Sequence, residues 1–117
     1  MDNHYHLLGF SNKGQDLPKI IKRIHGASAR FIRQKTCCDL PVWWNYWDYC
    51  PRNDEDYYTK LNYLFMNPIK HAYVTNLNEY LFSSFSYRVS EMGRDSMRKQ
   101  FSKYKYYPDM DEIYDDF

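Results

Sequence analysis

The sequence has no apolar run long enough to span a membrane, which excludes a transmembrane helix of about 20 apolar residues. No secretory leader is legible at its start, so a cytoplasmic chain is expected and a membrane partner is not. Cysteine is scarce. Cys37, Cys38 and Cys50 are an odd number at no zinc-ribbon spacing, and the adjacent pair cannot easily bond each other. They read as reduced, partly buried thiols. No internal repeat is present, which excludes a solenoid. Excess charge is nearly absent: the formal net value is +1, so global charge identifies no partner.

What is abundant is apolar and aromatic. Hydrophobic residues make up 44% of 117, enough for one domain with a modest packed core. Aromatics reach 20%, with 13 tyrosines. Such a composition serves flat ligands, bases or protein partners, or simply fills a core. Charge is uneven along the chain. Lys19 to Lys35 holds seven basic residues, His25 included, and no acid. The last nine residues, DMDEIYDDF, hold five acids and no base. This asymmetry makes a local nucleic-acid surface a candidate.

Residues Asn3 to Phe10, NHYHLLGF, read as a strand with His4, His6, Leu8 and Phe10 on one face. After a polar turn, Asp16 is placed to cap a helix over Leu17 to Gln34, with Pro18 in its first turn. On that helix Leu17, Ile20, Ile21, Ile24, Ala27, Ser28, Phe31 and Ile32 share one arc, expected to pack on a sheet. Lys19, Lys22, Arg23, Arg30 and Arg33 form a cationic stripe opposite. VWWNYWDYC (Val42 to Cys50) reads as a second, aromatic strand, with at least two of Trp43, Trp44, Tyr46 and Trp47 in the core. A second helix is expected from Asp54 to Asn67, capped by Asn53 and stopped by Pro68. The segment from Ile69 to Val89 reads as a loop and a short packed piece, and SMRKQFSKYK as a basic helix before the acidic tail. The order of elements predicts an α+β fold, helices layered on an antiparallel sheet.

Two features carry chemistry. His4 and His6, two apart on a strand, project to one side about 7 Å apart, and two imidazoles can converge on one ion. On the second helix Tyr63 lies on the polar side with Asp56, Lys60 and Asn67, and Tyr63 and Asn67 stand one above the other. Two nitrogens hold a labile hard cation poorly, and the amide oxygen of Asn67 would complete a set suited to Mg²⁺ or Mn²⁺. A phenol with a pKa of about 10 is a weak nucleophile at neutral pH. A divalent cation can polarise a phosphate for its attack. The plain alternatives are an exposed tyrosine and structural histidines.

With these residues in view, the sequence resembles the HUH endonucleases, and within them the REP-associated tyrosine transposases. The likeness is carried by MDNHYHLL (Met1 to Leu8), VWWNYWDY (Val42 to Tyr49), YLFMNPIKHAYV (Tyr63 to Val74) and FSSF (Phe82 to Phe85), in the family's order. The resemblance implies that His4 and His6 are metal ligands, Asn67 the third ligand and Tyr63 the nucleophile. It also implies cutting and rejoining of single-stranded DNA next to hairpins through a 5′-phosphotyrosine. The implied fold is a ferredoxin-like or RRM-like antiparallel sheet with helices on one face. Residues 1–89 would form the catalytic domain and residues 90–117 a C-terminal basic helix and acidic tail. Asp2 stands where the family often has proline, Phe65 where it often has histidine, and Ala72–Tyr73 replaces a common glycine-containing turn. Family members carry a strand and helix ahead of the histidine motif, so the resemblance implies a chain short at its N-terminus. Its histidine strand would then have open backbone groups for a second copy, in a homodimer, or for the tail to cover.

Hairpin-flanked single-stranded DNA is the partner this implies. Lys19, Lys22, Arg23, Arg30 and Arg33 would meet phosphates, with Lys60 and Lys70 nearer the tyrosine; a solvated helix face is the plain alternative for the stripe. Two rival functions are a catalytically inactive remnant that still binds DNA hairpins, and a metal-binding protein of unrelated role.

Overall fold

The computed structural model describes residues 1, 3–37, 39 and 41–106. A 3₁₀ turn at Gly14–Asp16 leads into α1 (Leu17–Thr36), then α2 (Asp54–Lys70), a 3₁₀ turn at Leu77–Glu79, α3 (Phe85–Met92) and α4 (Arg94–Lys103). The chain divides into two compact units, Met1–Leu8 with Cys50–Phe117, and Gly9–Tyr49. The acidic tail, Asp2 and Cys38 lie outside the described residues.

No strand occurs among the described residues, which overturns the expected α+β, ferredoxin-like sheet. The fold is helical. The reason lies in what alternation signifies. A period of two requires one covered side, not a β-ladder. His4, His6 and Leu8 are half-buried while Asn3, Tyr5 and Leu7 are exposed, so the alternation survives without a sheet. Phe10, expected on the covered side, is exposed. The second expected strand, Val42 to Cys50, is also irregular; Trp43 and Tyr46 are half-buried, whereas Trp44 and Trp47 are 91% and 89% exposed. Aromatic strand propensity is contextual and yields when no neighbouring strand is there to pair with.

In the larger unit α2 is the central element. Its start follows the expectation: Asn53 is extended and its side chain accepts from the Asp56 N–H at 2.9 Å, and the Asp56 carboxylate accepts from the Arg52 N–H at 3.0 Å. Its end does not. The helix passes through Pro68 to Lys70. Pro68 offers no N–H to the preceding turn, but its own carbonyl accepts from the Tyr73 N–H at 2.9 Å, and the Ile69 carbonyl accepts from the Ala72 N–H at 2.9 Å. These two bonds form a Schellman closure, and Asn67 and Pro68 are both buried. Packing and closure together override the local stop. Ala72 takes the left-handed position of that closure, φ +56°, where glycine is the unstrained residue.

Leu61, Phe65 and Met66 of α2 join Leu77, Phe85, Met97 and Phe101 in one core. Phe65 meets Phe85 edge-on at 5.5 Å between ring centroids, and Phe85 meets Phe101 at 6.2 Å. Leu8 packs against this cluster and the Met1 ammonium donates to the Tyr80 hydroxyl, so the histidine segment is held at both ends. Asn62, fully buried, locks α2 to the end of α4: its amide donates to the Gln100 and Tyr104 carbonyls at 3.3 and 2.8 Å, and the Gln100 amide donates to Asn62 Oδ1 at 2.6 Å. Gly93, at φ +81°, makes the sharp joint between α3 and α4.

In the smaller unit α1 has the expected amphipathic pattern but no sheet to cover it. Ile21 is its buried residue; Ile20, Ile24 and Phe31 are exposed. Asp16 makes no side-chain cap and instead faces Lys19 at 3.4 Å. Trp43 is fixed against the helix by its indole N–H, which donates to Ser28 Oγ at 2.9 Å, and by stacking on His25 at 4.8 Å. Cys37 and Cys50 are free and exposed rather than partly buried.

Burial separates the two kinds of aromatic. Phe101→Ala is expected to cost about 3–5 kcal/mol in urea unfolding of the larger unit, whereas Phe31→Ala should stay within about 0.5 kcal/mol. Ala72→Gly should stabilise by about 0.5–1 kcal/mol, by relieving the left-handed strain less the added backbone entropy. A neutral or destabilising result in a thermal melt would contradict the closure described.

Candidate functional site

The histidine segment and α2 meet within the larger unit. Tyr63, Asn67 and Lys70 recur at four and three residues on α2, so they share one face only because the helix continues past Pro68. Against that face lie His4 and His6. Their rings are 5.2 Å apart, and the His6 ring meets Tyr63 edge-on at 5.3 Å. His71, at the C-cap of α2, brings a third imidazole 5.6 Å from His4. Lys70 Nζ stands 5.3 Å over the Tyr63 ring. On the other side Tyr106 lies 4.5 Å from Tyr63, with Lys60 Nζ 5.8 Å over the Tyr106 ring.

Two of these polar groups are short of partners. His6 Nε2 and both side-chain polar atoms of Asn67 are buried without a hydrogen bond. Asn67 is 1% exposed. An unpaired buried polar group costs about 1–3 kcal/mol. Burial holds the His6 pKa below its ordinary value, and the neighbouring His4, His71 and Lys70 press the same way. The polar contact with Asn67 acts in the opposite sense, but no directional hydrogen bond forms. His4 donates from Nδ1 to Asn3 Oδ1 at 2.6 Å, which leaves its Nε2 as the lone-pair nitrogen. No group of three His, Cys, Asp or Glu side chains able to hold a metal exists among the described residues. The groups able to take part in holding one are therefore two imidazoles and an amide oxygen. Two of the three have a polar atom buried without a hydrogen bond, and two imidazoles with an amide oxygen can hold a divalent cation.

One relative shares part of this sequence. The chain is 34% identical over 50 residues to a REP-associated tyrosine transposase of Escherichia coli (strain K12). That stretch is 41% of this chain and 30% of the relative, so less than a third of the relative's length is matched. No family model matches the chain, and no solved structure does. No helix among the described residues is long and apolar enough to cross a membrane.

The remaining residues singled out in the sequence fall elsewhere. Lys19, Lys22, Arg23, Arg30 and Arg33 are exposed on α1, in the smaller unit. Lys60 and Lys70 are on α2, near the tyrosines just described. Two neighbours of the site went unassigned in the sequence. Tyr106 gives no local signal, since it arrives from 43 positions beyond Tyr63. Asn62, which positions α2, looked like one more polar helix residue.

The His6 environment sets a pH dependence. Its folded pKa lies below the unfolded value of 6.5, so in that window the unfolded chain binds more protons. Stability of the metal-free protein should therefore be flat above pH 6.5 and fall as pH drops through the window. Urea midpoints between pH 5 and 8 would measure this. His6→Phe should flatten the profile, and an unchanged slope in that variant would assign it to other groups.

Proposed function

We propose that the chain is a DNA strand-transfer enzyme of the single-tyrosine HUH type, acting on hairpin-flanked single-stranded DNA. The observation that carries the reading is the convergence of His4, His6 and Asn67, with orphaned donor atoms, on the side of α2 that bears Tyr63. The 50-residue likeness to a tyrosine transposase supports it.

On this reading His4, His6 and Asn67 hold Mg²⁺ or Mn²⁺. When bound, the cation supplies Lewis-acid polarisation of the scissile phosphate. The chain's own residues do the rest. Tyr63 Oη gives up its proton to solvent and attacks phosphorus, the bond to the 3′ oxygen breaks, and that oxygen leaves as a hydroxyl after taking a proton from solvent. The 5′ end stays on Tyr63 as a phosphotyrosine. It retains the phosphodiester's energy, so a 3′-hydroxyl can reverse the step without ATP. Lys70, whose ammonium stands over the Tyr63 ring, is placed to draw the phosphate towards it. His4 is oriented through Asn3, the kind of support that fixes a ligand's tautomer.

A second reading is a hairpin-binding remnant without catalysis. The exposed cationic stripe of α1 favours it, because binding through that stripe needs nothing from Tyr63.

Incubation with labelled hairpin-flanked single-stranded DNA and Mn²⁺ separates the two. The enzyme gives a denaturation-resistant protein–DNA adduct that Tyr63→Phe abolishes. Binding without adduct selects the remnant. Metal binding is read separately by thermal shift. Mn²⁺ at a hundred times its Kd should stabilise the wild type by about 2.7 kcal/mol. His4→Ala and Asn67→Ala should lose most of that gain, and an undiminished shift in both would remove these residues from the metal site.

A further inference from the structure

A cavity of about 380 Å³ opens in the smaller unit between α1 and the chain at Pro41 to Trp43. Lys22, Gly26, Ala29 and Arg33 line it from α1. Their spacing of four, three and four residues puts them on one helical stripe. The middle of the stripe is small, Gly26 and Ala29, and so forms a floor. Its ends are cationic, about 16 Å apart along the axis by helical rise. Trp43 and His25 line the same cavity, mutually stacked with an interplanar angle of 14°. Trp43 is anchored by Ser28, and Tyr46 meets the His25 ring edge-on at 6.4 Å, so the aromatic wall is preorganised. Among the described residues no acid lines the cavity, and α1 contains none. The following residues add Trp44 and Trp47, almost wholly exposed, which is costly for indoles unless something flat covers them.

Cations at both ends of a trough walled by aromatics match one ligand chemistry: a flat base between two phosphates. We propose that this trough is a binding site for unpaired bases of single-stranded nucleic acid. One base sits over Gly26 and Ala29 against Trp43, and the flanking phosphates reach Lys22 and Arg33. Its lining shares no residue with the Tyr63 cluster, and binding there needs no cation. It extends the cationic stripe from a general electrostatic surface to a pocket with a preference for unstacked bases. A duplex, whose bases are already stacked and paired, cannot supply one.

All three tryptophans of the chain, Trp43, Trp44 and Trp47, belong to this unit, so indole fluorescence reports on it alone. Titration of the full chain with a short unstructured oligonucleotide should quench that fluorescence. A blunt duplex of the same sequence should bind at least tenfold more weakly. Lys22→Ala with Arg33→Ala should lower the salt slope of binding by about 1.4, two single-strand phosphates' worth. Trp43→Leu should weaken binding about tenfold. Because Trp43 also anchors its own segment, a second variant fills the trough from the floor. A Cβ at position 26 meets nothing within 4 Å, so Gly26→Leu is sterically admissible. It should keep the helical circular dichroism and lose about tenfold in affinity. The proposal is overturned if Gly26→Leu, folded, binds the oligonucleotide as tightly as wild type. It is also overturned if the blunt duplex binds as tightly as the single strand, which would make the trough a plain anion site. The covalent adduct is read with Tyr63→Phe and the pocket with Gly26→Leu, so the two failures are told apart by different variants.

Discussion

A helix that buries Leu61, Phe65 and Met66 has little freedom in where it points Tyr63, Asn67 and Lys70. That burial is the constraint behind the larger unit. Leu77, Phe85, Met97 and Phe101 supply the opposing surface, and Asn62 adds directionality that apolar contact lacks. Hydrophobic packing alone permits small rotations of a helix about its axis. An amide that must meet the Gln100 and Tyr104 carbonyls together does not. The register of α2 is thus set by a polar lock inside an apolar core. The side chains on its other face inherit that register.

Those side chains form a site without a carboxylate among the groups described. His4, His6, His71, Asn67, Tyr63 and Lys70 are neutral or cationic, and burial keeps His6 towards its neutral form. Such a set has a definite chemical bias. Neutral ligands bind a divalent cation more weakly than carboxylates do, because ligand charge tunes affinity. A phosphate arriving beside Lys70 would supply the missing negative charge. On the proposed reading cation and substrate therefore favour each other's binding, whereas two or more acidic ligands would have retained the cation without DNA. On the same reading the unpartnered atoms of His6 and Asn67 are the ones left for the cation.

The sequence carried some of this plainly. The His4, His6, Leu8 alternation, the span of α1, the Asn53 cap of α2 and the basic helix α4 are local patterns, and local patterns survive changes of fold. The sheet was not legible, and its absence explains the other differences. Period-two burial says that one side of a segment is covered, never by what; here Tyr63 and the apolar cluster take the place of a strand. Pro68 was read from its own chemistry, which does disfavour a helix. The outcome was decided by the burial of Asn67 and Pro68 and by two N–H groups, from Ala72 and Tyr73, four and five residues beyond the proline. Tyr106 and the Asn62–Gln100 pairing are long-range contacts, invisible to any periodicity.

The two units differ in how they are held, and the difference bears on function. The larger one has a connected core of buried aromatic and aliphatic side chains. The smaller has one long helix with Ile21 as its buried residue, an indole hydrogen bond and a stacked imidazole. Most helical stability in proteins comes from a packed apolar face, and α1 buries little of its own. Local opening should therefore cost less in the smaller unit than in the larger. On the proposed reading, the groups that must hold their geometry to about an ångström, a nucleophile and metal ligands, fall in the first kind of environment. The proposed trough for a single strand needs less. It can gain order from the ligand itself, because whatever binds the folded form alone stabilises it by mass action. The division of labour follows from where this chain was able to bury its apolar side chains.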